Sequence, residues 1–369
     1  MTDLLINYIV LDAICAIALI ILALAALQNV LFSNEMKKYF ALAALVTFIV
    51  VTAESASIIY ENILLAGRAP ALIANIIGFS LAPVIAVVLS RAFTVGNGKL
   101  RTLLSIPIWI NIVLVFSSPW TGLIFSIGSD LNYIRGPLYG WFIFAYLCSY
   151  IILIVDSVKA MNYYQCHSKT TFILLLTFTI LGTTVQLIWP NAHATWLSVT
   201  LSLVLFYAYF CVLTETQDNL TGLLKRNVYD RYTTRIPAGD SGVVVVFDLD
   251  GFKQINDLYG HSWGDSCLRI VGNLVKDCFG KLGFCYRTGG DEFCVICRSK
   301  DEQRVEAVLS VFHGKIDNIR SDTLQGELPM VSTGYAVFSG STTEYEHALK
   351  KADNQMYNFK FKRRQLRMN

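Results

Sequence analysis

Two carboxylates, Asp248 and Asp250, close an uninterrupted apolar run, Val243-Val244-Val245-Val246-Phe247. A run of this kind has the pattern of a strand buried on both faces, so the acids emerge at a strand end. Further along, Gly289-Gly290-Asp291-Glu292 separates two short segments, Cys285–Arg287 and Phe293–Cys297, that read as a hairpin. Two successive glycines carry no Cβ, so a phosphate can approach the backbone closely. Two carboxylates follow at once. A hard divalent cation such as Mg²⁺ takes oxygen ligands and keeps positions for substrate phosphates. Asp248 and Asp291, on adjacent strands, are placed to hold one or two such ions. Three cations, Lys253, Lys360 and Arg364, suit a triphosphate, whose transfer is catalysed chiefly by positioning and charge neutralisation. The spacing predicts metal-assisted phosphoryl transfer.

The elements that must position these groups lie in residues 214–369, long enough for one α/β domain. Pro329–Phe338 reads as a further strand, and Asp265–Asp277 and His347–Lys362 as amphipathic helices. Cys294 and Cys297 form a CxxC within the Phe293–Cys297 strand, where an i, i+3 pair points to opposite faces. Without a second pair nearby they read as buried structural thiols.

The remainder of the chain is of a different kind. Of the 57 charged side chains, residues 1–213 carry 16 and residues 214–369 the other 41. Overall, 54% of the 369 residues are hydrophobic, 15% are charged and the net charge is +3. That composition excludes an ordinary soluble enzyme, a disordered chain and a nucleic-acid binder working by bulk charge. Seven segments have about the 20 apolar residues needed to span a bilayer: Leu5–Phe32, Tyr39–Leu64, Ala71–Phe93, Leu103–Ser118, Tyr139–Val158, Thr171–Trp189 and Ala194–Leu213. The first lacks a cleavage signature and reads as a retained span. One set of connections carries Lys37, Lys38, Arg91, Lys99, Arg101, Lys159 and Lys169, the other only Arg68 and Arg135. By the positive-inside rule the N-terminus is outside and the hydrophilic half is in the cytoplasm. The nine cysteines do not fall in external loops, so no disulfide framework is expected.

Polar groups inside apolar spans usually face a bundle interior. On this topology Asp12, Glu54, Glu61, Asn75, Gln186 and His193 converge on the external half, with Ser57, Thr183, Thr184 and Trp196. Two readings stand. They line a pocket for a small external ligand, lidded by the Pro119–Pro137 loop, or they form interhelical hydrogen bonds that hold the bundle together.

The C-terminal residues resemble a known family in several blocks. Arg287-Thr-Gly-Gly-Asp-Glu-Phe293 is similar to the motif that names the GGDEF family, the diguanylate cyclases. Asp218-Asn-Leu-Thr-Gly-Leu-Leu-Lys-Arg226 resembles the family's opening DxLTGLxNR. The stretch from Phe247 through Asp248, Asp250, Lys253, Asn256 and His261 to Asp265 resembles its FDxDxFKxxNDxxGHxxGD block. Val331-Ser-Thr-Gly334 and Ala352-Asp-Asn-Gln-Met-Tyr357 with Lys360 resemble its later strand and last helix. After the seven-helix membrane domain (1–213) read from the apolar segments, the resemblance implies an α/β (α+β) nucleotide-cyclase-like domain (214–369) with a central, mainly antiparallel sheet. It also implies a bacterial cytoplasmic-membrane protein that condenses two GTP into cyclic di-GMP under control of an external signal. The membrane half loosely resembles the seven-helix sensor regions of bacterial receptor kinases and cyclases.

Carried over by position, Asp248, the Leu249 carbonyl and Asp291 would bind Mg²⁺, with Mn²⁺ as an alternative. Asp291 would be the catalytic carboxylate, with Glu292 and Lys253 assisting. Asn256 and Asp265 would read the guanine edge, and Asp265 favours GTP over ATP. Gly289 and Gly290 would admit the phosphates, met by Lys253, Lys360 and Arg364. A two-fold product requires two domains facing each other, hence a homodimer. Gly280 and Gly283 stand where the family's RxxD feedback site would be, so product inhibition there is not expected. Lys225 and Arg363 also depart from the family pattern. The alternative to a cyclase is a catalytically silent receptor that binds GTP without turnover. Four residues separate Leu213 from Asp218, too few for an intervening signalling module.

Overall fold

The computed structural model describes residues 2–60, 68–94, 98–128, 133–165, 169–188, 195–234, 236, 240–322 and 327–368. Within these, side chains are described except at 2–5, 68, 169, 186–188, 321–322, 363–364 and 366–368. The chain divides into two compact units, Met1–Thr214 and Glu215–Asn369.

The first unit is helical. Its helices are α1 (Thr2–Gln28), α2 (Asn34–Ile59), α3 (Arg68–Arg91), α4 (Lys99–Thr121), α5 (Tyr139–Tyr163), α6 (Lys169–Ile188) and α7 (Thr195–Glu215), with strands β1 (Phe125–Ile127) and β2 (Tyr133–Arg135) between α4 and α5. Six of them, α1 to α5 and α7, are long and apolar enough to cross a membrane. The apolar stretch of α6, Thr170–Val185, is shorter. Six helices of that length therefore stand where seven were expected, among the described residues. Aromatic side chains fill much of the interior. Phe93 stacks on Phe210 at 4.5 Å, and Phe40, Phe172 and Phe206 are fully buried around them.

Two sequence expectations change in this unit. The fourth segment does not stop at Ser118. The hydroxyls of Ser117 and Ser118 each bond back to the Leu114 carbonyl at 2.8 Å, and the helix continues through Pro119 to Thr121. The expected loop beyond it holds a two-stranded antiparallel ribbon, with Phe125 opposite Arg135 and Ile127 opposite Tyr133. Its apolar side is buried, Phe125 and Tyr133 both stacking on Phe79 of α3. Arg101, counted with the loop cations, lies in the first turn of α4 and forms a buried ion pair with Asp156 of α5 at 2.8 Å.

The second unit is a five-stranded sheet between helices. Its elements are β3 (Leu224–Lys225), α8 (Arg226–Thr233), β4 (Ser241–Leu249), α9 (Phe252–Tyr259), α10 (His261–Phe279), β5 (Gly283–Arg287), β6 (Glu292–Cys297), α11 (Glu302–Asp322), β7 (Val331–Ser339) and α12 (Thr342–Met368). The strand order is β3-β5-β6-β4-β7. Only β3 pairs in parallel, with β5; the other pairings are antiparallel. The apolar run of β4 is covered on both faces, as its composition requires. Val243, Val245, Phe247 and Leu249 pack with α10 and α11, while Val244 and Val246 pack with α8 and α12. Cys294 lies in the second of these cores and Cys297 in the first, on opposite sides of the sheet. Both are free thiols.

The close approach of α12 to β7 depends on Gly334. A Cβ there would lie 2.0 Å from the Ala352 carbonyl and 2.6 Å from the Met356 nitrogen, both backbone atoms of α12. Gly334→Ala should therefore lift α12 from the sheet and destabilise the unit by about 1–3 kcal/mol, the range for overpacking. Hydrogen exchange of the β7 amides in the intact protein measures this, and unchanged protection would show that the helix accommodates a methyl group.

Candidate active site

Asp248, next to last in β4, stands in register with Glu292 of β6 on one side and Ser332 of β7 on the other. The turn between β5 and β6 is closed by the Thr288 and Gly289 amides, which donate to the Glu292 carbonyl at 3.0 and 3.3 Å. The Leu249 amide donates to the Asp291 carbonyl at 3.3 Å, tying this turn to the end of β4. Asp248, Leu249, Asp291, Glu292, Gly289 and Gly290 are thus brought together by two strand ends and one turn. Burial, and then the neighbouring Asp248 carboxylate, push the Asp291 carboxyl above the ordinary aspartate value.

Lys360, on α12, reaches the same place. Its ammonium forms a close ion pair with Asp248 and lies 3.6 Å from Asp250. Asp250 is fixed in turn: Ser332 Oγ lies 2.8 and 2.9 Å from its two carboxylate oxygens, and its amide donates to the Met330 carbonyl at 2.8 Å. Sequence reasoning assigned no role to Asp250 or Ser332. The signal was present, because positions i and i+2 of an extended strand share a face, which sets Asp250 beside Asp248.

The glycine-rich turn is held from outside by two arginines. Arg287 donates to the Gly290 carbonyl through Nη2 at 2.7 Å and to Asp218 through Nη1 at 3.1 Å. Arg226 donates to the Thr288 carbonyl at 2.8 Å. Asp218 also accepts from the Thr221 amide and hydroxyl at 2.9 and 2.7 Å. Burial pushes the Asp218 carboxyl up, but the Thr221 bonds and Arg287 outweigh it and hold the carboxyl below its ordinary value. The opening motif and the turn, about 70 residues apart in the chain, form one hydrogen-bonded assembly.

The remaining candidates lie further out. Lys253 is exposed on the first turn of α9. Asn256 is half-buried on α9 and Asp265 exposed on α10. Gly264 lets Asn256 sit against α10, since a Cβ at that position would fall 1.9 Å from Asn256 Oδ1. Arg364 belongs to α12, but its side chain lies outside the described residues.

No group of three or more His, Cys, Asp or Glu side chains forms a metal centre among the described residues. The donors that are present still suit Mg²⁺, which needs only one or two carboxylates from the protein. The Asp248 charge is felt at Asp291, and an ammonium group already stands on Asp248 as a substitute cation.

In the membrane-type unit the polar residues engage one another across helices. Three nearby residues of α2 reach three partners. Glu54 accepts from Trp196 Nε1 of α7, Ser55 donates to Asp12 of α1 at 2.6 Å, and Ser57 accepts from Asn75 of α3 at 3.4 Å. This is the interhelical bonding that was one of the two sequence readings. Glu61, His193 and the Gln186 side chain lie outside the described residues. A cavity of about 30 Å³, enough for roughly one water, lies elsewhere, between Ala86 of α3, Tyr150 of α5, Thr179 of α6 and Ser202 of α7.

The sign of the Asp291 shift gives a test. The folded state must ionise this carboxyl against burial and Asp248, a penalty absent below the aspartate range and complete once pH exceeds the raised value. Asp291→Asn should therefore raise the thermal midpoint of the metal-free protein near pH 7, and the gain should shrink as pH falls through the carboxylate range. A gain independent of pH would remove the electrostatic explanation.

Residues 215–366 match the family model described as diguanylate cyclase, GGDEF domain. The chain is 29% identical over 140 residues to the diguanylate cyclase DosC of Escherichia coli, covering 37% of this chain and 29% of that protein. It is 38% identical over 96 residues to the cyclic di-GMP phosphodiesterase PdeR of the same species, covering 25% of this chain and 14% of that protein. The chain thus spans less than a third of the length of these curated relatives. Among solved structures, it is similar to the GGDEF domain of DgcB from Caulobacter crescentus in complex with c-di-GMP, at 25% identity, 39% of this chain, 86% of that chain and a TM-score of 0.34. The C-terminal unit carries a GGDEF domain, homologous to those of the diguanylate cyclases.

Proposed function

We propose that the protein is a membrane-bound diguanylate cyclase that condenses two GTP into cyclic di-GMP and two pyrophosphates. The observation that carries this reading is the meeting of Asp248 and Asp291 beside the Gly289-Gly290 turn, with Lys360 at the same point. Asp248, the Leu249 carbonyl and Asp291 would hold Mg²⁺ or Mn²⁺, which neutralises phosphate charge when bound. The residues themselves do the rest. Gly289 and Gly290 admit the phosphates to the backbone, and Lys253, Lys360 and Arg364 bind them. Asn256 and Asp265 read the guanine edge, as donor with acceptor and as acceptor of guanine N–H groups. Asp291 takes the proton as a ribose 3′-oxygen attacks the α-phosphorus of the opposite GTP and pyrophosphate leaves. Glu292 assists beside it. Each hydroxyl needs the other's phosphorus, so two domains work as a C2 homodimer.

Residues 1–213 serve as a seven-span sensor in the bacterial cytoplasmic membrane, surrounded by lipid, with α6 completing the count. The N-terminus is outside and residues 214–369 are cytoplasmic. A small external ligand acts on the polar region of Asp12, Glu54 and Asn75, with Glu61, Gln186 and His193. The interhelical bonds of the first three support this, since a ligand competing for them would shift α2 against α1, α3 and α7.

Product analysis with GTP and Mg²⁺ on the intact, detergent-solubilised dimer should yield cyclic di-GMP, reduced at least about 100-fold in Asp291→Ala, the scale expected for a lost acid–base and electrostatic group. GTP binding without product would establish the silent receptor instead. A periplasm-active phosphatase fused at the N-terminus should be active and one fused at the C-terminus silent; the reverse pattern would invert the topology.

A further inference from the structure

The ammonium of Lys360 stands where a divalent cation would be needed. It is in close contact with Asp248 and 3.6 Å from Asp250, and all three side chains are about four-fifths buried. The place is built for a positive charge. Asp248 and Asp250 both lie within reach of the one ammonium, and Ser332 Oγ sits against both carboxylate oxygens of Asp250. The lysine's backbone is fixed as well, because α12 is seated on β7 at Gly334. Only its flexible four-carbon stem can move. A phosphate oxygen brought alongside competes with Asp248 and Asp250 for the three donors of this ammonium.

We propose that Lys360 is the resident counter-ion of the Asp248–Asp250 pair in the nucleotide-free protein and competes with the divalent cation for it. This rests on the proposed metal-binding role of Asp248. Arrival of a triphosphate draws the ammonium from the carboxylates to phosphate oxygens and vacates the place for the metal. Metal and nucleotide thus bind with positive coupling, which is reciprocal by linkage. Neither the carboxylates nor the lysine is left unpaired at any stage, so the protein avoids an uncompensated, partly buried charge.

The test is Mn²⁺ binding to the full-length protein in detergent, without nucleotide, followed by electron paramagnetic resonance. Lys360→Gln should bind Mn²⁺ about tenfold tighter than the wild type. It should also lose most of the gain that a non-hydrolysable GTP analogue produces in the wild type. Lys360→Arg, which keeps the charge, should stay as weak as the wild type. Unchanged or weaker Mn²⁺ binding in Lys360→Gln would overturn the proposal, as would equal tightening in Lys360→Arg. Asp248→Asn separates the two levels. If it abolishes Mn²⁺ binding while Lys360→Gln has no effect, only the lysine's role is refuted. If Mn²⁺ binding survives in Asp248→Asn, the metal-site reading fails first.

Discussion

Carboxylates that face each other at a strand end cannot both be ionised cheaply unless a cation stands among them. That constraint organises the C-terminal unit. β4 is buried on both faces, so its end is a rigid platform, and Asp248 leaves it at a fixed point between β6 and β7. The turn after β5 brings Asp291 to the same point, and the Leu249 amide holds the turn there. The resulting negative charge is offset by a lysine from the last helix. Core, turn and helix are each needed to hold one small volume of opposed charges.

The turn is no free loop. Its carbonyls at Thr288 and Gly290 are taken by Arg226 and Arg287, and Arg287 is itself held by Asp218. Both contacts are solvent-exposed, so each is worth no more than about 1 kcal/mol, but together they fix two carbonyl positions of the turn. Residues 218–226 therefore act on the geometry of Gly290 directly. That segment includes β3, paired with β5 through Lys225 and Arg287, so the opening motif, the sheet edge and the turn are joined as one assembly.

Much of this was legible in the sequence, for identifiable reasons. The valine run, the hairpin flanking the two glycines and the opposite faces of Cys294 and Cys297 follow from strand periodicity alone. What was not legible depends on contacts between distant elements. Lys360 reads as a phosphate-binding cation, and nothing in its neighbourhood in the chain shows that it reaches Asp248, 112 residues earlier. The role of Arg287 in bracing the turn is hidden for the same reason. In the first unit, Ser117-Ser118-Pro119 reads as a helix stop, yet the helix runs on to Thr121, with both serine hydroxyls turned back onto the Leu114 carbonyl. The guanine-facing roles of Asn256 and Asp265 rest on resemblance, and the fold contributes only the close seat of Asn256 against Gly264.

The polar residues of the helical unit follow the same logic as the charges of the sheet. In a low-dielectric interior an unpaired polar group is costly, so each must find a partner. Here α2 takes part in three such bonds, through Glu54, Ser55 and Ser57, to three different helices. Helices joined in this way cannot shift independently, because moving α2 breaks bonds to α1, α3 and α7 together. The lever is therefore a substitute partner. A molecule offering its own donors to Glu54 or Asp12 would release α2 at little cost, whereas an apolar molecule would leave both acids unsatisfied. On the proposed sensing role, groups that donate hydrogen bonds would stand in for Trp196 at Glu54 and for Ser55 at Asp12.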